Sequence, residues 1–452
     1  VYMVYDSADR LVMRQDGNLR AGVYSDRKPQ WMIYEYDVLG RQTEQAIVTD
    51  TSLTANTRNA LQEQFDAGQT PALYNHSSAQ LLHRKVYDSY GKRPATVQFL
   101  AIDGMTTQLA DGQKESLLDS RVKGLLTYEQ LSVIGHDAYA ESYYYRAHYY
   151  DYKGRVIQTV VSDPRGTVHR ITNKYDFAGN LSAQRESYTR GVVTDNLNRT
   201  FTYDSRNRLI KETAQFNDGE QAVVVCAYDD LGQLTGKTYG TGSHAIHETI
   251  DYNLQGWLIR KNSELFDMEL RYYDPEPYFE GEAYYTGNIS EWWWKHKNII
   301  GSNDRENNTY IFHYDDLGRL NETSLTYDEA EDRGDEFVEK GITYDKNSNI
   351  LTLNRTSFSS EDTRSFNFSY SGNQRNRETN GNTSYEYDGN GNITRDAVNS
   401  LQMSYNLLNL PTEIFCWGDY SDYYDYLSDG TKIQHEYSDG QQDRYIGSLV
   451  YY

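Results

Sequence analysis

β-prone runs recur along the chain, and each closes on the same polar phrase. Apolar, aromatic and threonine positions lead in, as in Val4-Tyr5, Thr200-Phe201-Thr202-Tyr203 and Ile311-Phe312-His313-Tyr314. Tyr-Asp follows, then two variable residues, Gly, commonly Arg or Asn, and an aliphatic residue. The clearest copies are Tyr36-Asp37 with Gly40, Tyr150-Asp151 with Gly154, Tyr175-Asp176 with Gly179, Tyr228-Asp229 with Gly232, Tyr314-Asp315 with Gly318, and Tyr387-Asp388 with Gly391. Degenerate copies begin at Tyr5, Tyr203, Tyr252, Tyr344 and Tyr405. One at Tyr87 keeps Asp88 and Gly91 but lacks the aliphatic residue that should follow. Starts between Tyr150 and Tyr252 lie 25, 28, 25 and 24 residues apart, and wider steps elsewhere read as inserted loops or worn copies.

Each copy predicts a hairpin. The Asp accepts backbone amides two or three residues on and starts a type I turn. The Gly supplies a left-handed residue that returns the chain as a second strand, in a short loop with a bulge. Where the Gly is lost, Asp9, Asn207, Ser348 or Asn409 takes its place, and Asn and Asp tolerate positive φ best among other residues. A hairpin of about 25 residues cannot bury its apolar face alone. Stacking copies edge to edge buries that face and pairs the edges. The fold class is therefore all-β: a long antiparallel ribbon of hairpins. About 24 strands at ~4.8 Å spacing would run on the order of 115 Å, and so long a sheet must curl or coil.

Three stretches break the rhythm, at about 51–72, 94–135 and 267–308. The first predicts a short inserted helix at about 54–67, with Leu61 and Phe65 on one face, Thr51, Ser52 or Thr54 as N-cap and Gly68 as the stop. The second reads as longer strands with a tip at Asp111-Gly112-Gln113-Lys114. The third holds Trp292-Trp293-Trp294 in a strand, which puts Trp292 and Trp294 on one side and Trp293 on the other. Acidic stretches at Asp328–Glu336 and Ser359–Asp362 read as solvated hairpin tips. With seven prolines and no long polar linker, residues 1–452 read as one continuous domain.

Composition sharpens this picture. Mean hydropathy is −0.81, low enough to raise disorder, but 43 tyrosines and an aromatic content of 14% are unlike a disordered chain. A net charge of −22 disfavours nucleic acid and anionic membrane surfaces. No run approaches the ~20 apolar residues of a spanning helix, and no leader sequence is visible at Val1. Cys226 and Cys416 are too few for a disulfide scaffold and read as buried, inert thiols.

No motif marks catalysis. His244 and His247 are three apart, a spacing that suits a helix rather than a strand, so exposed loop histidines are expected instead of a metal pair. Asp419, Asp422, Asp425 and Asp429 imitate a calcium loop but lack its sixth-position Gly and terminal Glu. The expectation is no catalytic residue, no metal and no cofactor. Trp292 and Trp294 form a candidate binding surface for sugar rings. The repeated tyrosines read as structural, because a fixed position in a repeat asks for a repeated structural job.

The Tyr-Asp-x-x-Gly-Arg/Asn-Leu run resembles the YD repeat of the rearrangement-hotspot (Rhs) proteins, over roughly Tyr5 to Tyr445. The run from Tyr5 to Gly17 and the ending Arg444-Tyr445-Ile446-Gly447 resemble the variety common in Bacteroidetes. The resemblance implies a β-ribbon spiralling into a hollow cocoon, with relatives in insecticidal Tc toxin complexes and animal teneurins. Bacterial members of this polymorphic-toxin family enclose a C-terminal toxin until delivery to a competitor or host. It implies a shell segment without enzymatic activity, made in the bacterial cytoplasm and secreted or delivered as an effector. Its partners would be an enclosed toxin or other cargo and secretion-apparatus tip proteins. The alternative it carries is a secreted or cell-surface adhesion scaffold, glycan-binding in some form. The family's Asp-Pro-x-Gly junction has no match at the end of the chain. Asp163-Pro164-Arg165-Gly166 has its letters but lies mid-chain and reads as a turn. Neither a variable toxin domain nor a PAAR-like tip is visible, so the chain reads as one stretch of a larger shell.

Overall fold

The computed structural model describes residues 1–52, 57–102, 104–105, 122–135, 143–297, 307–327, 331–332, 337–357, 363–378, 384–416 and 420–452. It is all-β, built from strands paired antiparallel with their sequence neighbours.

One turn geometry recurs. Between the strands Gln30–Tyr36 and Gln42–Thr49, the Asp37 amide donates to the Arg41 carbonyl at 2.9 Å and the Gly40 amide to the Asp37 carbonyl at 3.0 Å. Gly40 holds φ 78°. Tyr36 faces Gln42 across a register shift, the expected bulge. The same shift marks Tyr150, Tyr228, Tyr314, Tyr387 and Tyr405. The glycine substitutes Asp9, Asn207, Ser348 and Asn409 all take positive φ, between 55° and 65°. Asp163-Pro164-Arg165-Gly166 forms the same turn, with the Asp163 carboxylate accepting the amides of Arg165 at 3.0 Å and Thr167 at 2.7 Å.

The Tyr87 copy departs from expectation. Gly91 is not its turn glycine; Gly124, at φ 84°, donates its amide to the Asp88 carboxylate, and Tyr87 pairs with Leu126 across the usual bulge. Asp88 and Gly124 thus close one turn although they lie far apart in sequence, and the missing aliphatic residue is Leu126. The carboxylate detail also differs. Asp37 accepts the amides of Leu39 and Arg41, two and four residues on rather than two or three, because the bulged loop swings the fourth amide back over it.

By contact density the chain forms two compact units, 1–198 with 385–452, and 199–384. In the first, the inserted helix runs Arg58–Asp66, shorter than expected, and its N-cap is Thr57 rather than Thr51, Ser52 or Thr54. The Thr57 hydroxyl accepts the Ala60 amide at 3.2 Å, whereas residues 53–56 lie outside the described residues. Leu61 is buried with Trp31, Ile33 and Val48, and Phe65 packs against the same cluster. Gln62 fastens the helix by bonding both backbone groups of Tyr5. The first helix in the chain, Gly17–Ala21, has no counterpart among the sequence expectations; Asp16 caps it and Gly22 ends it at φ 68°. Among its described residues the stretch after Pro94 holds one ten-residue strand, Leu126–Gly135, and its tip at 111–114 lies outside the described residues.

The two ends of this unit interlock. The strand Tyr420–Leu427 pairs antiparallel with the far end of Leu126–Gly135, Tyr426 opposite Ile134. The turn at Asp388 docks on the first helix: Asn390 accepts the Gly17 amide at 2.9 Å, and Asn18 donates to Asp388 at 2.8 Å.

The second unit is a meander of half-buried strands. Glu291–His296 lies between Phe266–Arg271 and Asn308–Tyr314. Its backbone pairs residues 326–327 with 331–332, so part of the acidic stretch Asp328–Glu336 is strand, and the remainder lies outside the described residues, as does Ser359–Asp362. Cys226 and Cys416 are free but half-buried rather than buried, since each lies in a strand that is not covered fully on both faces.

Candidate functional site

The repeat residues converge on one lattice. In many copies the Tyr hydroxyl donates to the carbonyl two residues beyond the preceding turn's glycine or its substitute: Tyr36 to Leu11 at 2.8 Å, Tyr175 to Val156 at 2.9 Å, Tyr228 to Leu209 at 2.9 Å, Tyr405 to Ile393 at 2.9 Å. Tyr150 bonds Leu126 in the same way at 2.6 Å, beyond the split turn. Burial pushes the Tyr175, Tyr228 and Tyr314 hydroxyls above their usual range.

The residue after the glycine, to which the repeat pattern alone gives no role, joins one copy to the next. Arg319 Nε donates to its own Asp315 at 2.7 Å, and its guanidinium lies 4.4 Å from the ring centroid of the following copy's Tyr344. Arg41 does the same between Asp37 and Tyr87, Arg155 between Asp151 and Tyr175, and Arg208 between Asp204 and Tyr228. Where the residue is Asn, the cation is lost but the bond to Asp remains, as from Asn180 to Asp176 at 3.0 Å and from Asn392 to Asp388 at 2.8 Å. The hydrogen bond from Arg319 holds the Asp315 carboxyl below the usual carboxylate range, aided by the turn amides. In Asp229 the carboxylate still accepts the Gln233 amide at 2.8 Å. The sequence signal for this lattice was the Arg itself, legible only once the next Tyr is known to sit above it.

Trp292 and Trp294 share a face, with ring centroids 4.6 Å apart, and Trp294 stacks on Tyr310 at 5.5 Å. All three are half-buried, and Trp294 and Tyr310 pack on the buried Leu325 and Val338. Trp292 Nε1 is buried and makes no hydrogen bond.

In the first unit a cavity of about 640 Å³ opens between the strands around Val161 and Ile171 and the hairpin around Ile446. Tyr144, Arg165 and Arg444 also line it, and burial pushes the Tyr144 hydroxyl up to about 12. Two buried polar networks border this region. Glu186 accepts His169 at 2.8 Å and the Ser448 amide at 2.9 Å. Burial would raise the Glu186 carboxyl, yet these bonds hold it below its ordinary value. Glu129 takes His83 and His148 at 2.9 and 3.1 Å, while Arg146 reaches across to Asp429 at 2.8 Å.

Among the described residues, the candidate histidines and aspartates do not gather into a metal site. His244 lies in the exposed turn Gly242–His244, and His247 pairs with Glu264 at 2.9 Å. Asp422 faces His435 at 3.6 Å and Asp429 is bound to Arg146, whereas Asp419 lies outside the described residues. A cluster that no spacing argument found is Glu35, Glu44 and His76, whose candidate ligand atoms all lie within 4.8 Å of one another.

Comparison with known proteins sets the fold. No protein-family model matches the chain, and no curated protein matches its sequence. The crystal structure of TcdB2-TccC3-TEV is similar over 99% of this chain, with a TM-score of 0.61 at 13% identity. TcdB2-TccC3 gives 0.60 at 13% and TcdB2-TccC3-Cdc42 gives 0.60 at 12%. This chain therefore shares their fold, and it spans about a fifth of the length of the chains it matches.

Proposed function

We propose that this chain is one stretch of an Rhs-type encapsulation shell, whose work is to confine a toxin or other cargo polypeptide until delivery. The observation that carries this is the lattice of tyrosine hydroxyls and arginines, which fastens many hairpins to the next with main-chain acceptors and own-copy carboxylates. Such a lattice spends the repeat's polar side chains on continuity of the wall and asks for no ligand. The likeness to TcdB2-TccC3 supports the same reading. On this proposal no residue of this stretch is catalytic, and a toxic activity resides in the cargo. The protein is made in the bacterial cytoplasm and leaves it as an effector.

Intact mass spectrometry of the protein purified from its native host under denaturing conditions, with peptide mapping, tests this. A second polypeptide, or a mass well beyond 52.4 kDa with peptides unassigned to this chain, is the expected result. A single species of 52.4 kDa would overturn it and turn attention to a binding scaffold, with Trp292 and Trp294 as its surface.

A further inference from the structure

Glu35 and Glu44 stand directly opposite each other on the neighbouring strands Gln30–Tyr36 and Gln42–Thr49. Like charges in that position destabilise a sheet, so something must offset them. Arg84 does so only in part, for its Nε holds Glu44 Oε1 at 2.6 Å and leaves Oε2 turned elsewhere. Above the pair sits His76, in the short turn His76–Ser78 that follows the helical insertion. Its Nε2 lies 3.5 Å from Glu35 Oε1 and its Nδ1 lies 3.7 Å from Glu44 Oε2. Both ring nitrogens are buried, and neither makes a hydrogen bond.

That combination is unusual for a structural histidine, because a buried imidazole ordinarily satisfies at least one nitrogen. It suits a metal ligand. In a tetrahedral site with bonds of ~2.0–2.1 Å, neighbouring ligand atoms stand about 3.3 Å apart, close to the 3.5 Å between His76 and Glu35. We infer that Glu35, Glu44 and His76 bind a divalent transition metal of the zinc class, through one imidazole nitrogen and one oxygen from each carboxylate, with water completing the sphere. Imidazole with carboxylate is a donor set that zinc accepts, whereas calcium and magnesium prefer oxygen alone. Tyr74 orients the imidazole, its ring edge-on to His76 at 5.0 Å while its hydroxyl donates to the Tyr34 carbonyl. The metal's role is to staple the segment that follows the inserted helix to the strands Gln30–Tyr36 and Gln42–Thr49.

Chelator-treated protein is to be dialysed against equimolar zinc and the retained metal measured, with a thermal melt taken with and without zinc. The wild-type chain is expected to keep one equivalent and to melt higher with it. Glu35→Gln and His76→Gln should each lose that equivalent, and His247→Gln, at the exposed His–Glu pair, should keep it. Cobalt in place of zinc gives a second readout that needs no variant: intense visible bands of a tetrahedral site in the wild-type chain. No retained zinc together with no cobalt bands would overturn the site and leave an imidazolium between two carboxylates. Zinc retained unchanged by His76→Gln would overturn it as well.

Discussion

A repeat tyrosine such as Tyr314 joins two neighbouring hairpins by a single hydrogen bond, and its value is bounded. The Tyr314 hydroxyl donates to the Ile289 carbonyl at 2.9 Å from a half-buried position. Removing it deletes a bond worth ~1 kcal/mol net and leaves the carbonyl without that donor. Tyr314→Phe is expected to lower stability by about 1–2 kcal/mol while keeping the ring against Tyr284. Chemical denaturation measures this, and an unchanged midpoint would mean that the hydroxyl contributes nothing to the join between hairpins. The arginine works differently. Its guanidinium bridges its own aspartate and the next ring, so it binds along the ribbon rather than within a copy.

At the scale of the hairpin, many weak and identical contacts share one pH dependence. Burial raises the Tyr36, Tyr175 and Tyr314 hydroxyls of the repeat above their ordinary 10.0, and outside the repeat it raises Tyr24, Tyr144 and Tyr426 to about 12. A group whose folded value is raised in this way stabilises fully below its unfolded value, and the contribution fades as pH climbs through the folded one. The turn aspartates run the other way. Asp176, Asp315 and Asp345 are held below 3.8, chiefly by the neighbouring Asn or Arg side chain, so their contribution is complete above that value and is lost as pH falls below it. Stability is therefore expected to be flat between about pH 5 and 9, to fall together across pH 10–12, and to fall again below about pH 4. Circular dichroism across pH reads this. An alkaline transition centred below pH 9 would show that the buried hydroxyls are not its cause.

For the first unit as a whole, closure depends on contacts between residues far apart in the chain. Gly17 and Gly389 meet so closely that a Cβ on Gly17 would stand 2.0 Å from the Gly389 carbonyl oxygen. Overpacking of well-packed sites costs typically ~1–3 kcal/mol. Gly17→Ala should therefore undock the turn at Asp388 from the first helix without disturbing the strands. Limited proteolysis is expected to cut faster around residues 384–392 in that variant than in the wild type, at similar far-ultraviolet ellipticity. Unchanged cleavage would show that the docking does not hold the ends together.

Local geometry was legible in the sequence because it is encoded locally. Tyr-Asp-x-x-Gly specifies a bulged turn through one carboxylate and one left-handed residue, and Asn207 or Ser348 meets the same demand. The helix around Leu61 was legible from its apolar face, although its cap was not, since several Thr and Ser residues offer the same oxygen. What the sequence could not determine was which distant groups meet. Nothing local to Asp88 says that its turn is finished by Gly124 after an insertion. Nor does anything in Arg319 point to Tyr344, or in Glu35, Glu44 and His76 to one another. The hairpin is a property of six or seven consecutive residues; the ribbon's lattice, the interlocked ends and the three-residue cluster exist only where backbone pairing fixes register between separate copies. Tertiary structure decided those, because hydrogen bonds and charges act over a few ångströms of space and not along the chain.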